Sequence, residues 1–218
     1  MNPVAASFAW PFRGAWLPKW LIGAVMVLLL PVAFVPLLGY AVAATRKAGT
    51  EPDGGPPDWA LSTRMLTDGI WVALAVALIT APFALVIGPL ATVVDHAHLW
   101  HVNDPALSRF YANLAAGFAL ALPWGIVLLL LMPHATAHFA TSGSPLDLLD
   151  FRASLRGVAH DFATWNLAAA AIVTAWAIGL ACVGLVCIGV VPGVFYAILV
   201  SAHATAALNT KVANPAPG

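Results

Sequence analysis

The stretch that decides the fold covers residues 165–208 and reads WNLAAAAIVTAWAIGLACVGLVCIGVVPGVFYAILVSAHATAAL. It contains no Asp, Glu, Lys or Arg, and its one histidine is His203. As a single helix it would be roughly 65 Å long, whereas the hydrocarbon core of a bilayer is about 30 Å thick. Gly189 and Pro192 lie near its middle and favour a break there. The stretch therefore predicts a hairpin of two membrane-spanning helices.

The composition of the whole chain agrees with a membrane location. The 218 residues are 61% hydrophobic and 8% charged, against about 25% charged in a soluble domain. Nine basic residues balance nine acidic ones, and they form no basic cluster of the kind that binds nucleic acid. Cys182 and Cys187 are five residues apart on one predicted helix. That spacing turns them away from each other, so we expect buried apolar residues rather than a disulfide.

Other apolar runs complete an all-α polytopic membrane protein. The run over 15–47 is interrupted by Pro31 and Pro36, so it predicts a short N-terminal helical hairpin that turns between these prolines; one kinked span is the alternative. The predicted transmembrane helices are 62–94, 106–132, 164–187 and 190–208. Together they predict a single integral membrane domain over 1–218.

One further helix, over 145–162, is predicted to be amphipathic. Ser144 and Pro145 are a typical helix start. Apolar residues then recur at helical spacing: Leu148, Phe151, Leu155, Val158 and Phe162. The helix carries three acids and two bases, so it lacks the basic face that recruits anionic lipid. It either lies on the membrane surface or packs as a connecting helix on the protein itself.

The basic residues predict the orientation of the chain, because they concentrate on the cytoplasmic side of span ends. If 15–47 were one span, the nine bases would divide three to six between the two faces. If it turns back on itself, they divide eight to one, with Arg109 alone outside. The sequence therefore favours a re-entrant N-terminal hairpin, four spans and both termini in the cytoplasm, in the cytoplasmic membrane of a prokaryote.

Histidines are the candidates for chemistry, and two groups have the ligand type that zinc and other transition metals prefer. The first group is His96, His98 and His101; the second is His134 and His138, four residues apart on one helix face. Because the third apolar helix separates the two groups, they are expected on opposite membrane faces and cannot form one site. Interfacial histidines without a function are the alternative for both groups.

His203 is the candidate cofactor-binding residue, because an ionisable side chain within a span is a functional hypothesis by default. It could ligate a haem or a pigment, relay a proton, or hydrogen-bond a neighbouring helix close to one membrane face. The last of these is our expectation, with no cofactor. No phosphate-binding loop, paired intramembrane carboxylates or nucleophile motif is present in the sequence, and we assign no catalytic residue.

The chain resembles a bacterial and archaeal membrane family known as domain of unknown function 4013. Short ordered matches carry the resemblance: Phe8, Trp10, Pro11, Trp20 to Gly23, Leu30-Pro31, Gly39-Tyr40, Arg46-Lys47, Pro57-Asp58-Trp59, Asp68-Gly69, Cys187-Ile188-Gly189, Pro192 and His203. His138-Phe139 stands where the family tends to have a basic-aromatic pair. The resemblance implies a small polytopic membrane protein and supplies no activity.

These observations favour a non-enzymatic structural or accessory membrane protein or a subunit of a membrane complex. A small transporter or channel and a histidine-dependent metal or cofactor carrier are the alternatives. The expected partners are membrane lipid and either other subunits or a second copy of the chain, with no nucleic acid. Ala171, Ala175 and Gly179 form a small-residue stripe that could hold such a partner helix closely.

Overall fold

The computed structural model describes residues 3–97, 102, 104–182 and 189–209, and within them it is all-helical with no strand. The α-helices are α1 (Pro3–Ala6), α2 (Trp16–Leu28), α3 (Leu30–Thr50), α4 (Thr63–His96), α5 (Pro105–Ser142), α6 (Phe151–His160), α7 (Phe162–Ala181) and α8 (Val190–Ala206), with 3-10 turns at Trp10–Phe12 and Pro145–Leu148. The chain divides into two compact units, the described residues of 1–73 with 131–218, and those of 74–130. The predicted all-α class is confirmed.

Three helices in the described part of the chain are long and apolar enough to cross a membrane, namely α4, α5 and α7. The helix α8 is also apolar but has 17 residues, and α2 has 13. The predicted fourth span, 190–208, therefore corresponds to a helix of about 26 Å. The end of the predicted span 164–187 lies outside the described residues beyond position 182.

In the first unit, α2 and α3 double back on each other. The break is a single residue, Leu29, with φ −90° and ψ 23°. The turn therefore comes before Pro31, and the predicted turn between Pro31 and Pro36 is wrong. Pro31 lies in the first turn of α3, where a missing N–H is tolerated because that group has no intrahelical acceptor. Pro36 is accommodated inside α3.

The helices α3 and α4 meet through glycines at backbone distance. A Cβ atom added at Gly39 would lie 1.9 Å from the Met65 carbonyl oxygen, and one added at Gly69 would lie 2.1 Å from the Val35 oxygen. Any larger side chain at either position would push the helices apart. Small residues of this kind permit the close helix contacts that hold helices together in lipid.

The helices α7 and α8 form an antiparallel hairpin of the same kind. A Cβ atom added at Gly179 would lie 2.7 Å from the Gly193 oxygen, and Ala175 packs in one buried cluster with Ala197 and Val200. The stripe of Ala171, Ala175 and Gly179 is buried against the chain itself. These three residues therefore pack within the chain itself, and a partner helix on this stripe stays a prediction.

The segment 145–162 differs from the single amphipathic helix that was predicted. Pro145–Leu148 is a 3-10 turn, and α6 begins only at Phe151. Ser144 makes no side-chain cap; instead, the Asp150 carboxylate accepts a 2.8 Å hydrogen bond from the Ala153 N–H and caps α6. A second cap starts α7, where Asp161 accepts from the Thr164 N–H at 3.2 Å. Two acidic caps thus set the boundaries that the Ser-Pro pair was expected to set.

The helix α5 has 38 residues, eleven more than the predicted span 106–132. It continues beyond Met132 and ends at Ser142. Gly143 follows with φ +72°, and its N–H donates to the Phe139 carbonyl at 2.9 Å. This left-handed glycine is the stop signal, whereas the polarity of the residues after Met132 does not end the helix.

The second unit is an antiparallel hairpin made of residues 74–96 of α4 and 105–130 of α5. Ala91 packs with Ala112 and Ala116, and the Trp124 indole N–H donates to the Thr80 hydroxyl at 3.0 Å. Near the tip, the Ser108 hydroxyl donates to Asp95 at 2.5 Å. Small residues and side-chain hydrogen bonds therefore join these two helices, while large apolar side chains face outward.

Replacing Gly179 with Ala is expected to destabilise the fold, because the added methyl group meets the Gly193 backbone. Overpacking of this kind costs about 1–3 kcal/mol, so the unfolding midpoint in detergent should fall. Gly125→Ala in α5 is the matched control, since a Cβ atom there would meet nothing within 4 Å. Equal midpoints for the two variants would contradict the close α7–α8 contact.

Candidate functional site

The central polar side chain of the candidate site is His203, in the last turn of α8. Its ring is 4% exposed. The Nδ1 atom lies 2.8 Å from the Ser7 hydroxyl, and the Nε2 atom lies 3.3 Å from the Pro52 carbonyl oxygen. Since a carbonyl only accepts, Nε2 carries the proton and Nδ1 accepts from Ser7. The prediction of a hydrogen-bonded His203 is confirmed.

The ring of Trp10 covers one side of this histidine, with the ring centroids 5.2 Å apart. Trp10 and Ser7 are both fully buried. Because both ring nitrogens of His203 are engaged by the chain, a haem or pigment metal would have to displace Ser7 or Pro52. His203 of α8 therefore links the N-terminal segment before α2 to the loop after α3.

Two cations of the N-terminal segment bind the same loop. The Arg13 guanidinium lies 2.6 Å from the Asp53 carboxylate and also donates to the Pro52 oxygen at 3.1 Å. The Lys19 ammonium donates to the Pro56 oxygen at 2.5 Å and lies 3.1 Å from Asp58. We call this set the polar junction: Ser7, Arg13, Lys19, Pro52, Asp53, Asp58 and His203.

Two aromatic rings lie beside the polar junction and pack at the loop after α3. Tyr40 and Trp59 stack face to face with centroids 3.9 Å apart. The Trp59 indole N–H donates to the Lys19 carbonyl at 3.0 Å, and the Tyr40 hydroxyl donates to the Pro57 carbonyl at 2.9 Å. Each ring therefore fixes the loop after α3 by packing and by one hydrogen bond.

A second polar contact joins three helices of the first unit. The Arg46 guanidinium, on α3, lies 3.0 Å from the Asp68 carboxylate of α4 and donates to the Ala140 carbonyl of α5 at 2.9 Å. Asp68 is buried. The arginine therefore satisfies a buried carboxylate and an α5 carbonyl near the helix end.

His134 and His138 share α5 but not one environment. His134 is buried against Gly157 of α6, whereas His138 is exposed. The Nδ1 atom of His134 has no hydrogen-bond partner in the described part of the chain. No group of three His, Cys, Asp or Glu that could hold a metal exists among residues 3–97, 102, 104–182 and 189–209. The metal site predicted at His134 and His138 stays a prediction, and no third ligand for it lies in that range.

The other predicted metal group lies in the second unit and is only partly described. His96 is exposed, and its Nδ1 lies 2.7 Å from the Thr92 carbonyl. It lines a cavity of about 290 Å³ together with Asp95, Arg109 and Asn113. His98 and His101 lie outside the described residues, so the structure does not test the triad.

Sequence reasoning missed Ser7, the two N-terminal cations and the Arg46–Asp68 pair. One available signal was the exact balance of nine bases and nine acids in a chain with few charges. Where charges are scarce and lie next to apolar helices, unpaired ones are costly, so pairing is the expectation. The pairs themselves join positions 22 to 40 residues apart, and no local pattern identifies them.

The fold defines an all-α protein with helices of membrane-spanning length and composition. The chain belongs to the family described as "Protein of unknown function (DUF4013)", whose model matches residues 22–188. Neither a curated protein nor a solved structure matches the chain. The resemblance seen in the sequence is thereby confirmed, and its matching residues include the contacts described above: Gly39, Tyr40, Arg46, Trp59, Asp68 and Gly69.

Replacing His203 with Ala is expected to loosen the N-terminal segment. The change removes two hydrogen bonds and leaves a buried cavity beside Trp10, which together cost about 2–4 kcal/mol. Amide hydrogen exchange of residues 5–13 should accelerate, and the unfolding midpoint in detergent should fall. His160→Ala, at an exposed position, should change neither quantity. Unchanged exchange in the His203 variant would show that the polar junction does not hold the segment.

Proposed function

We propose that this protein is a non-enzymatic structural or accessory protein of the cytoplasmic membrane. The observation that carries the proposal is the outward exposure of large apolar side chains on helices of membrane length. On α4, Leu85 is 78% exposed, and on α5, Phe118 is 73% exposed. Water would oppose apolar surface on this scale, whereas the hydrocarbon of a bilayer accommodates it.

The engagement of the charged groups supports a structural rather than a catalytic role. Arg13, Lys19 and Arg46 each bind a carboxylate of the same chain, and His203 uses both ring nitrogens within the fold. A catalytic or transport site needs ionisable groups directed at a substrate. Here these groups form ion pairs and hydrogen bonds that hold helices and loops together, as expected of a structural protein.

The polar junction supports a re-entrant hairpin for α2 and α3. The helix α2 is about 20 Å long, shorter than the roughly 30 Å hydrocarbon core. Arg13, before α2, contacts Asp53, after α3, so both ends of the hairpin lie on one side. With the bases divided eight to one, this arrangement favours four spans after the hairpin and both termini in the cytoplasm.

Single cysteines test this orientation in a background with Cys182→Ala and Cys187→Ala. Ala9 and Gly49 are exposed in the fold, and cysteines there should resist an impermeant thiol reagent in intact cells but react after lysis. A cysteine at Ala106, also exposed, should react in intact cells. Labelling of position 9 from outside, with position 49 protected, would contradict the re-entrant hairpin.

The accessory role is tested by purification from the native membrane in a mild detergent. We expect a complex well above the 22.7 kDa of one chain, with a second membrane protein in fixed stoichiometry that remains after a high-salt wash. The measurement is light scattering after gel filtration combined with mass spectrometry of the components. A chain that purifies alone, or that carries a stoichiometric chromophore or metal, would contradict the proposal.

A further inference from the structure

The acidic residues between α5 and α7 all accept hydrogen bonds from groups of the chain itself. Asp147 accepts a hydrogen bond from the Ser142 hydroxyl, Asp150 caps α6 and Asp161 caps α7. The sequence shows three acids and two bases in 145–162 and thus suggests a surface without basic character. Each acid keeps its charge, but each is held at a helix boundary by a local donor and, among the described residues, forms no ion pair with an arginine of this segment.

The two bases of this segment are differently placed. Arg152 and Arg156 are four residues apart on α6, and both side chains are exposed. In the described part of the chain neither guanidinium lies within 4 Å of a carboxylate. The Arg156 Nε atom donates to the Arg152 backbone carbonyl at 3.3 Å, which holds the Arg156 side chain along α6. Two positive charges therefore lie on one helix face without a counter-ion from the chain.

Apolar side chains surround these arginines on the outside of the segment. Leu155, between the two arginines in sequence, is 49% exposed, and Leu146 is 74% exposed. The opposite face of α6 is the packed one, with Ser154 and Val158 buried. The predicted apolar stripe is thus divided: Val158 faces the protein, and Leu155 faces outward.

We propose that this outer face binds the headgroups of anionic phospholipids in the membrane that holds the protein. It consists of Leu146, Leu149, Arg152, Leu155, Arg156 and Phe162, all exposed, and the exposed Asp150 lies beside Leu146, Leu149 and Arg152. Apolar side chains of such a surface enter the boundary between headgroups and acyl chains. The planar guanidinium groups match phosphate oxygens in a bidentate geometry.

Charge complementarity favours anionic lipid as the ligand of this outer face. Two unpaired cations beside exposed leucines complement a surface that is negative at headgroup level and apolar just beneath it, which describes an anionic leaflet. Each arginine near such a leaflet strengthens binding roughly fivefold. The inference rests on the proposed membrane location and adds to it a lipid class and a place on the protein.

The test uses the full chain reconstituted in bilayer discs, either of phosphatidylcholine alone or of an equal mixture with phosphatidylglycerol. The measured quantity is amide hydrogen exchange over residues 151–160. We expect the anionic discs to slow exchange there several-fold in the unmodified protein, and the double variant Arg152→Gln/Arg156→Gln to lose this lipid dependence. The charge-matched control Arg64→Gln/Arg109→Gln, at exposed positions elsewhere, should retain it.

The outcomes separate the two proposals. A protein that fails to enter discs of either composition would overturn the membrane location. A protein that enters both equally, with the same exchange of α6 in each, would overturn the lipid site alone. Retention of the full lipid effect by the Arg152/Arg156 double variant would also overturn it, as would protection of α6 that appears only with a co-purified protein. Phosphate added in solution should not reproduce the protection, because it lacks the apolar surface.

Discussion

The binding of Arg13 and Lys19 to the loop after α3 is the interaction on which the first unit depends. These two cations contact Asp53, Asp58 and two loop carbonyls, and they require the chain to return to its starting side within one helical hairpin. In a membrane, charged pairs of this kind belong at the polar boundary, since desolvated ions are costly in hydrocarbon. The rest of the fold is arranged around that boundary. His203 brings the end of α8 to it, and Trp59 and Tyr40 cover its apolar side.

Close contact between helix backbones is the second interaction that holds the helices together. In lipid, burying another leucine gains little, because the acyl chains are as apolar as the side chain itself; helix association depends instead on shape and on hydrogen bonds. The contacts of Gly39 and Gly69 with the facing backbones, and of Gly179 with Gly193, show this principle at two helix pairs. Many large apolar side chains are exposed, where lipid can solvate them, whereas Phe139, Phe195 and Leu199 are buried. The fold therefore places glycine at the closest helix contacts and leaves many leucine side chains exposed.

The sequence predicts the long apolar helices because span length and composition are local properties. It also locates the α7–α8 hairpin, since Gly189 and Pro192 mark the break. It does not predict the Leu29 turn, because Pro31 fits a first helical turn as readily as a loop. Nor does it predict that Asp150, rather than Ser144, caps α6, since both residue types are suitable caps.

The candidate site could be predicted only in part. His203 is conspicuous in sequence because it is the one histidine in an apolar stretch. Its partners, Ser7 and Pro52, are 196 and 151 residues away, and such contacts depend on the complete packing. The Ala171 stripe was recognised as a packing surface, but a sequence pattern does not distinguish a neighbour in the same chain from a partner in another. The charge count of 145–162 does not reveal that Asp150 and Asp161 are held in helix caps and are not paired with Arg152 or Arg156.

The most direct test of the account is the distance between the two ends of the α2–α3 hairpin in a bilayer. Spin labels on cysteines at Ala15 and Thr50, both exposed, would report it by pulsed electron resonance in reconstituted discs, with Cys182 and Cys187 replaced by Ala. The polar junction predicts a distribution below about 30 Å, because Arg13 and Asp53 are in contact and lie within three residues of the labels. A single continuous span over the same 35-residue stretch would separate them by about 50 Å, and a distribution centred there would contradict the account.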